Sequence, residues 1–260
     1  MPQRNSYGWR PGLPSKQFPA LSLPGPMVTL HAQVDLRATG FEAPIWDQLT
    51  TSACTGHGTC RGFDFVRAKL GLPKFDPSRL FPYWNARVGE GDADRDAGAA
   101  IGDVVAATLQ YGDCPYTDYP TDPSLVTVQP AANVFADAIL HPSTSVTRVT
   151  GTTPGSLAYH FEHCIDVLGV GVIIGATLYE SFESDAVAQS GIVPMPGQGE
   201  SVVGGHCMWG DAYDHPGRRA RLANSWNTDW GQDGYCWIPY DYLFDSDYAA
   251  DFHAILAVKG

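Results

Sequence analysis

The spacing of the apolar residues changes once along the chain, near residue 143, and this change limits the possible folds more than any other feature. Before it the spacing is helical. Phe63, Val66 and Leu70 recur in this way within residues 52–70, and Ile101, Val104, Val105, Thr108 and Leu109 share one side of a helix expected over 98–111. Residues 77–88, interrupted at Pro82, and 131–140 read as two further helices. After the change, Val146 and Val149 alternate with polar residues. Strands are expected over 171–178, 206–214, 219–225 and 233–238, with one helix over 156–167 and a Gly/Pro-rich loop over 191–205. Helices first and antiparallel strands later predict an α+β fold: a helical lobe packed against a β-rich lobe, with a cleft between them. The expected division is an extended N-terminal segment wrapping the β lobe over 1–44, the helical lobe over 45–140 and the β-rich lobe over 141–260, together one domain.

The N-terminal segment is dense in proline, at Pro2, Pro11, Pro14, Pro19, Pro24 and Pro26, with Pro44 at its boundary. Such a stretch is extended and lies along a surface instead of folding alone. No apolar run follows Met1, and the longest one, 167–178, is broken by glycine and falls short of the ~20 residues of a membrane span. A net charge of −12 argues against nucleic acid or an anionic membrane as partner. Arg218, Arg219 and Arg221 form a basic knot that reads as a solvated hairpin tip.

Chemistry concentrates at three places. Cys54 follows Ser52 and Ala53 at an expected helix start, with Ser52 as N-cap. The positive end of the helix dipole favours thiolate there, and Gln48, six residues earlier, can offer an amide N–H where charge develops on an attacked carbonyl. His206 stands in an otherwise apolar run behind Gly204 and Gly205, which allow close backbone approach. Asn224 lies in a strand-like run that disfavours asparagine, so a positioned amide explains it. Trp226 beside it can shield a His–Asn hydrogen bond from water.

The order Gln48, Cys54, His206 and Asn224-Ser225-Trp226, continuing into Trp230-Gly231-Gln232-Asp233-Gly234-Tyr235, resembles the papain-like cysteine peptidases. Segments 34–37, 80–87 and 111–115 are similar to its bacterial and viral branch, so the likeness runs from residue 34 to the end. The resemblance implies Cys54 as nucleophile, His206 as its base, Asn224 as orienter of the imidazole and Gln48 in the oxyanion hole. It also implies Gly98, Gly205 and Trp226 as substrate-binding residues, a peptide or protein as substrate, and no metal or organic cofactor. The chain departs from the family pattern at several points. Thr51 replaces a cysteine that forms a disulfide in secreted members, Thr55 replaces a tryptophan, and Leu49 replaces the glycine after the glutamine. His206 and Asn224 follow Cys54 by 152 and 170 residues, beyond the usual spacing, so insertions are expected. The N-terminal segment is too short for a helical inhibitory prosegment, and control of that conventional kind is not expected.

Competing readings are weaker. His57, three residues after Cys54, could touch the thiol, but nothing downstream orients it. His160, Glu162, His163 and Cys164 crowd one helix without the second paired group that tetrahedral zinc needs. The six cysteines leave five if Cys54 stays free, an awkward number for a disulfide framework. With no leader evident, a reducing, cytoplasmic setting is expected. A catalytically silent binding module on the same fold and a transglutaminase-type acyltransferase are the alternatives. The Gln48 spacing and the Asn-Ser-Trp block favour the peptidase over the latter.

Overall fold

The computed structural model describes residues 7–12, 18–23 and 27–260; the remaining parts of the proline-rich segment lie outside the described residues. In chain order the elements are β1 (Gln33–Asp35), α1 (Cys54–Lys69), α2 (Leu80–Glu90), α3 (Ile101–Gln110), α4 (Ala132–Ala138), β2 (Ser143–Arg148), α5 (Pro154–Asp166), β3 (Val172–Tyr179), α6 (Asp185–Ser190), β4 (Val202–Asp214), β5 (Arg219–Ala223), β6 (Tyr235–Pro239), α7 (Tyr240–Leu243) and β7 (Ala249–Val258). The fold is α+β, as the change of period predicts. Helices α1 to α4 precede an antiparallel sheet ordered β2-β7-β3-β4-β5-β6, with β1 added beside β4.

Helix α1 is the seam between the two halves. Its glycines, costly by propensity at ~1 kcal/mol each, are explained by what presses on them. A Cβ at Gly56 would lie 2.1 Å from the Arg79 carbonyl oxygen, and one at Gly58 would lie 2.7 Å from Cys207 Sγ. The first contact brings in α2 and the second brings in β4. One core, with Phe63, Ile173, Met208 and Trp209, lies between α1 and the sheet. A second, with Leu80, Phe81, Trp84 and Val104, fills the space among α2, α3 and α4.

Three local expectations are corrected. The helix begins at Cys54, its cap residue is Ala53 and no side chain caps it. Ser52 instead gives its backbone N–H to Asp96 Oδ2 at 2.7 Å. Helix α2 runs unbroken through Pro82. The proline falls in the first turn, where its missing N–H has no helical acceptor to lose. Strand β7, a nearly continuous buried run without clear alternation, gave no period-2 signal because it lies between β2 and β3.

Candidate active site

Cys54 occupies the first position of α1 and is wholly buried. His206, on β4, is equally buried, and its Nε2 lies 2.7 Å from Asn224 Oδ1 just beyond β5. With Nε2 engaged there, Nδ1 is the ring nitrogen left to serve a thiol. Cys207, immediately after His206, packs against Gly58 of α1, where a Cβ would lie 2.7 Å from its Sγ, so β4 and the first turns of α1 meet at this point. The Trp226 ring lies 5.0 Å from the His206 ring, and Phe182 and Trp230 pack behind it at 5.5 and 5.4 Å. This roof keeps water from the His206–Asn224 bond and strengthens it.

Gln48 is buried beside them. Its backbone N–H bonds to Ser225 O at 2.9 Å, its Oε1 accepts from Ser225 Oγ at 2.6 Å, and its Nε2 donates to Thr51 O at 2.7 Å. Ser225 thus ties the Gln48 loop to the Asn-Ser-Trp block, a role the sequence did not reveal although the residue stands between two that were singled out. The departure at Leu49 has a visible consequence. Leu49 adopts φ 57, the left-handed conformation that glycine takes without penalty, and its side chain is largely exposed.

Residues 7–12 form an extended strap through the cleft, which touches the helical side as well as the β lobe. Gly8 O accepts from Ala99 N at 2.8 Å and Arg10 N donates to Ala99 O at 3.2 Å, a parallel bridge on the helical side. On the β side, Trp9 N donates to Gly205 O at 2.9 Å. Gly98 and Gly205, both expected to line the substrate path, therefore flank the strap. Gly98 has φ 79, and a Cβ there would lie 2.3 Å from Gly8 O. Its N–H donates to Tyr83 OH, which itself donates to Asp96 Oδ1 at 2.6 Å. The Tyr7 ring meets the rings of His206 and Trp226 edge-on, each at 6.1 Å, and its hydroxyl bonds Glu183. Arg10 pairs with Glu90 and Asp92.

Burial sets the electrostatics of the thiol. The helix start alone should favour thiolate, yet burial pushes the Cys54 thiol up to about 11, and hydrogen bonds from the backbones of Cys207, Gly8, Thr55 and Trp9 offset only part of this. Two of those four peptides belong to the strap, which is also part of what excludes water.

The competing histidines and cysteines are otherwise engaged. His57 Nδ1 lies 3.0 Å from Ala53 O, and burial, with the charge of Arg79 adding to it, pushes the imidazole down to about 3. Glu162 accepts from Tyr240 OH at 2.7 Å and pairs with His215, His160 is bonded to Thr150 O, and Cys164 is in the core. Among the described residues no group of three or more His, Cys, Asp and Glu side chains is placed to hold a metal ion. All six cysteines are free thiols. A cavity of about 470 Å³ lined by Arg148, Thr150, Asp245 and His253 lies to one side, and none of Cys54, His206 and Asn224 reaches it.

No family model matches the chain. An uncharacterized peptidase C1-like protein of Acanthamoeba polyphaga mimivirus is 32% identical over 215 residues, 82% of this chain and 69% of the relative. Xylellain, a cysteine protease from Xylella fastidiosa, superposes with a TM-score of 0.84 at 27% identity over 98% of this chain and 96% of its own. Procathepsin B from Trypanosoma congolense gives a TM-score of 0.71 over 98% of this chain and 87% of its own, and its 14% identity speaks to the fold alone. The chain belongs to the papain-like, C1-type cysteine peptidases.

Proposed function

We propose that the chain is an endopeptidase that cuts peptide bonds through Cys54, His206, Asn224 and Gln48. The observation that carries this reading is the 2.7 Å bond from His206 Nε2 to Asn224 Oδ1, made where β4 meets the first turn of α1. With Nε2–H donated to the amide oxygen, Nδ1 takes the proton of the Cys54 thiol and leaves a thiolate–imidazolium pair. The thiolate attacks the substrate carbonyl carbon, and the Cys54 backbone N–H and the Gln48 amide hold the oxyanion. The imidazolium then protonates the leaving amine. Water, deprotonated by the same imidazole, hydrolyses the thioester and restores the thiol.

The strap lies where a substrate must lie, between Ala99 and Gly205, so it has to leave before turnover. An enzyme whose competent form is a minor population shows activity reduced by that fraction. The same strap is the observation that favours the second reading, a silent module whose cleft is permanently filled. Hydrolysis of a broad peptide library separates the two. The full-length Trp9→Ala protein, with its strap weakened, should cut at least about tenfold faster than the parent, and adding Cys54→Ala should abolish cleavage. Cleavage that survived loss of Cys54 would overturn the mechanism, and a Trp9→Ala protein as inert as the parent would support the silent module. A reducing, cytoplasmic location is proposed on the six free thiols.

A further inference from the structure

A small closed cavity adjoins Asn224. Helix α1 supplies one wall through His57 and Arg61, and Trp46, Cys207 and Asn224 supply others. Its volume of about 10 Å³ is the room that one water needs. Three polar atoms of the lining residues are buried without a hydrogen-bond partner among the described residues: His57 Nε2, Asn224 Nδ2 and Arg61 Nε. The residues that carry them are 3%, 4% and 3% exposed. Buried polar groups in folded proteins are paired, and cavities that stay dry are lined by apolar atoms. Three unpaired polar atoms around one water-sized space therefore call for a ligand.

Neighbouring groups fix what each atom offers. Ala53 O can only accept, so His57 Nδ1, 3.0 Å away, carries the ring proton and Nε2 presents a lone pair. Burial, with the charge of Arg79 adding to it, keeps this imidazole neutral at neutral pH. Asn224 Oδ1 already accepts from His206 Nε2–H and from Ser225 N–H, each at 2.7 Å, which leaves Nδ2 as a donor at the other end of the amide. Arg61 spends Nη1 and Nη2 on Pro44 O, Ala43 O, Glu42 Oε2 and Tyr235 OH, and its Nε–H remains. His57 and Arg61 stand four residues apart and so share a face of α1. Two donors and one acceptor are a set that a single water satisfies.

We propose that one buried water accepts from Asn224 Nδ2–H and Arg61 Nε–H and donates to His57 Nε2, and that His57 acts through it as a positioning residue for Asn224. The positioning role rests on the peptidase reading; the water site does not. With the water in place the Asn224 amide is held at both ends. Donation from Nδ2 also polarises the amide, so that Oδ1 accepts more strongly as charge builds on His206.

Two measurements test this. A high-resolution crystal structure of the full-length parent protein should show one water within hydrogen-bond distance of both His57 Nε2 and Asn224 Nδ2. An empty cavity, or a water that misses either atom, overturns the site. Peptide kinetics in the full-length Trp9→Ala background then test the positioning. His57→Phe keeps a ring but removes the acceptor, and should lower kcat roughly fivefold with KM unchanged. His57→Gln, which retains an acceptor, should restore most of the loss. In protein that already carries Asn224→Ala, His57→Phe should have almost no further effect. An equal loss with and without Asn224, the mark of a merely structural histidine, overturns the positioning role while the peptidase reading stands. His57→Leu takes the place of His57→Phe if the latter does not fold. If no peptide is cut, the rate at which iodoacetamide alkylates Cys54 in the same proteins decides. A slowing by His57→Phe that needs Asn224 keeps the positioning role and sinks the hydrolytic reading; a rate indifferent to His57 sinks the positioning role.

Discussion

Ser225 Oγ donates to Gln48 Oε1 at 2.6 Å, and so a residue of the β lobe fixes the amide of a residue in the helical lobe. Because the oxygen of that amide is committed to Ser225, its nitrogen faces the other way, toward Thr51 O and the start of α1. Orientation is what an oxyanion donor must supply, since an N–H contributes only where charge develops.

Gln48→Ala, made in the Trp9→Ala background so that the strap does not limit turnover, should lower kcat by ~10²-fold with little change in KM, the scale of one oxyanion donor. Steady-state kinetics on a single peptide checks this. A change confined to KM would mean that Gln48 binds substrate and does not stabilise the oxyanion.

Ser225→Ala should act through Gln48. A neutral hydrogen bond contributes ~1 kcal/mol, so kcat should fall roughly fivefold. In a protein that already carries Gln48→Ala, the same change should have almost no further effect. A double-mutant cycle measures this coupling, and independent effects would remove Ser225 from the site.

Leu49→Gly should not destabilise the protein and should raise its stability by up to ~1 kcal/mol, because glycine relieves the left-handed strain at the expense of a freer unfolded chain. Urea denaturation is the measurement. A clear loss of stability would show that the exposed leucine side chain makes contacts that outweigh the strain.

Arg221 donates Nη1–H to Asp35 Oδ2 and Nη2–H to Asp35 Oδ1, each at 2.6 Å, and Nε–H to Asp211 Oδ1 at 3.0 Å. Burial alone would raise the Asp35 carboxyl, but the hydrogen bonds from Arg221 and Arg37 outweigh it and hold the group well below its ordinary range. A carboxyl depressed in the folded state stabilises above its unfolded value, so this contribution should be intact above about pH 4 and fade as pH falls further. Arg221→Ala should lower stability by ~2 kcal/mol or more, because it removes the hydrogen bonds that Asp35 and the buried Asp211 accept from it. Thermal melts from pH 3 to pH 7 test both statements. A variant with parental stability would contradict the second.

The sequence carried the α+β order of helices before strands, the position of Cys54 in a first helical turn, and the pairing of His206 with Asn224, because each leaves a local mark: a change of period, a cysteine at a helix start, an asparagine inside a strand. It did not carry the strap. Tyr7, Gly8 and Trp9 sit in a proline-rich stretch with no periodicity, and their partners Ala99, Gly205 and Asp251 lie 90 to 242 residues away. Asp251 escaped for a related reason. Its position opposite Trp9 comes from a bulge in β7, and a bulge is set by pairing with β3, which no local pattern records. Pro82 was misread because only the true start of α2 shows that it falls in the first turn.

The central claim is that His206 activates Cys54 once the strap is displaced, and site-resolved alkylation tests it most directly. Full-length Trp9→Ala protein is treated with iodoacetamide at neutral pH, and all six cysteines are followed by mass spectrometry. The account predicts that Cys54 reacts far ahead of the other five and that adding His206→Ala slows it by roughly 10²-fold. A Cys54 that reacts no faster than the other cysteines, or as fast without His206 as with it, would contradict the account.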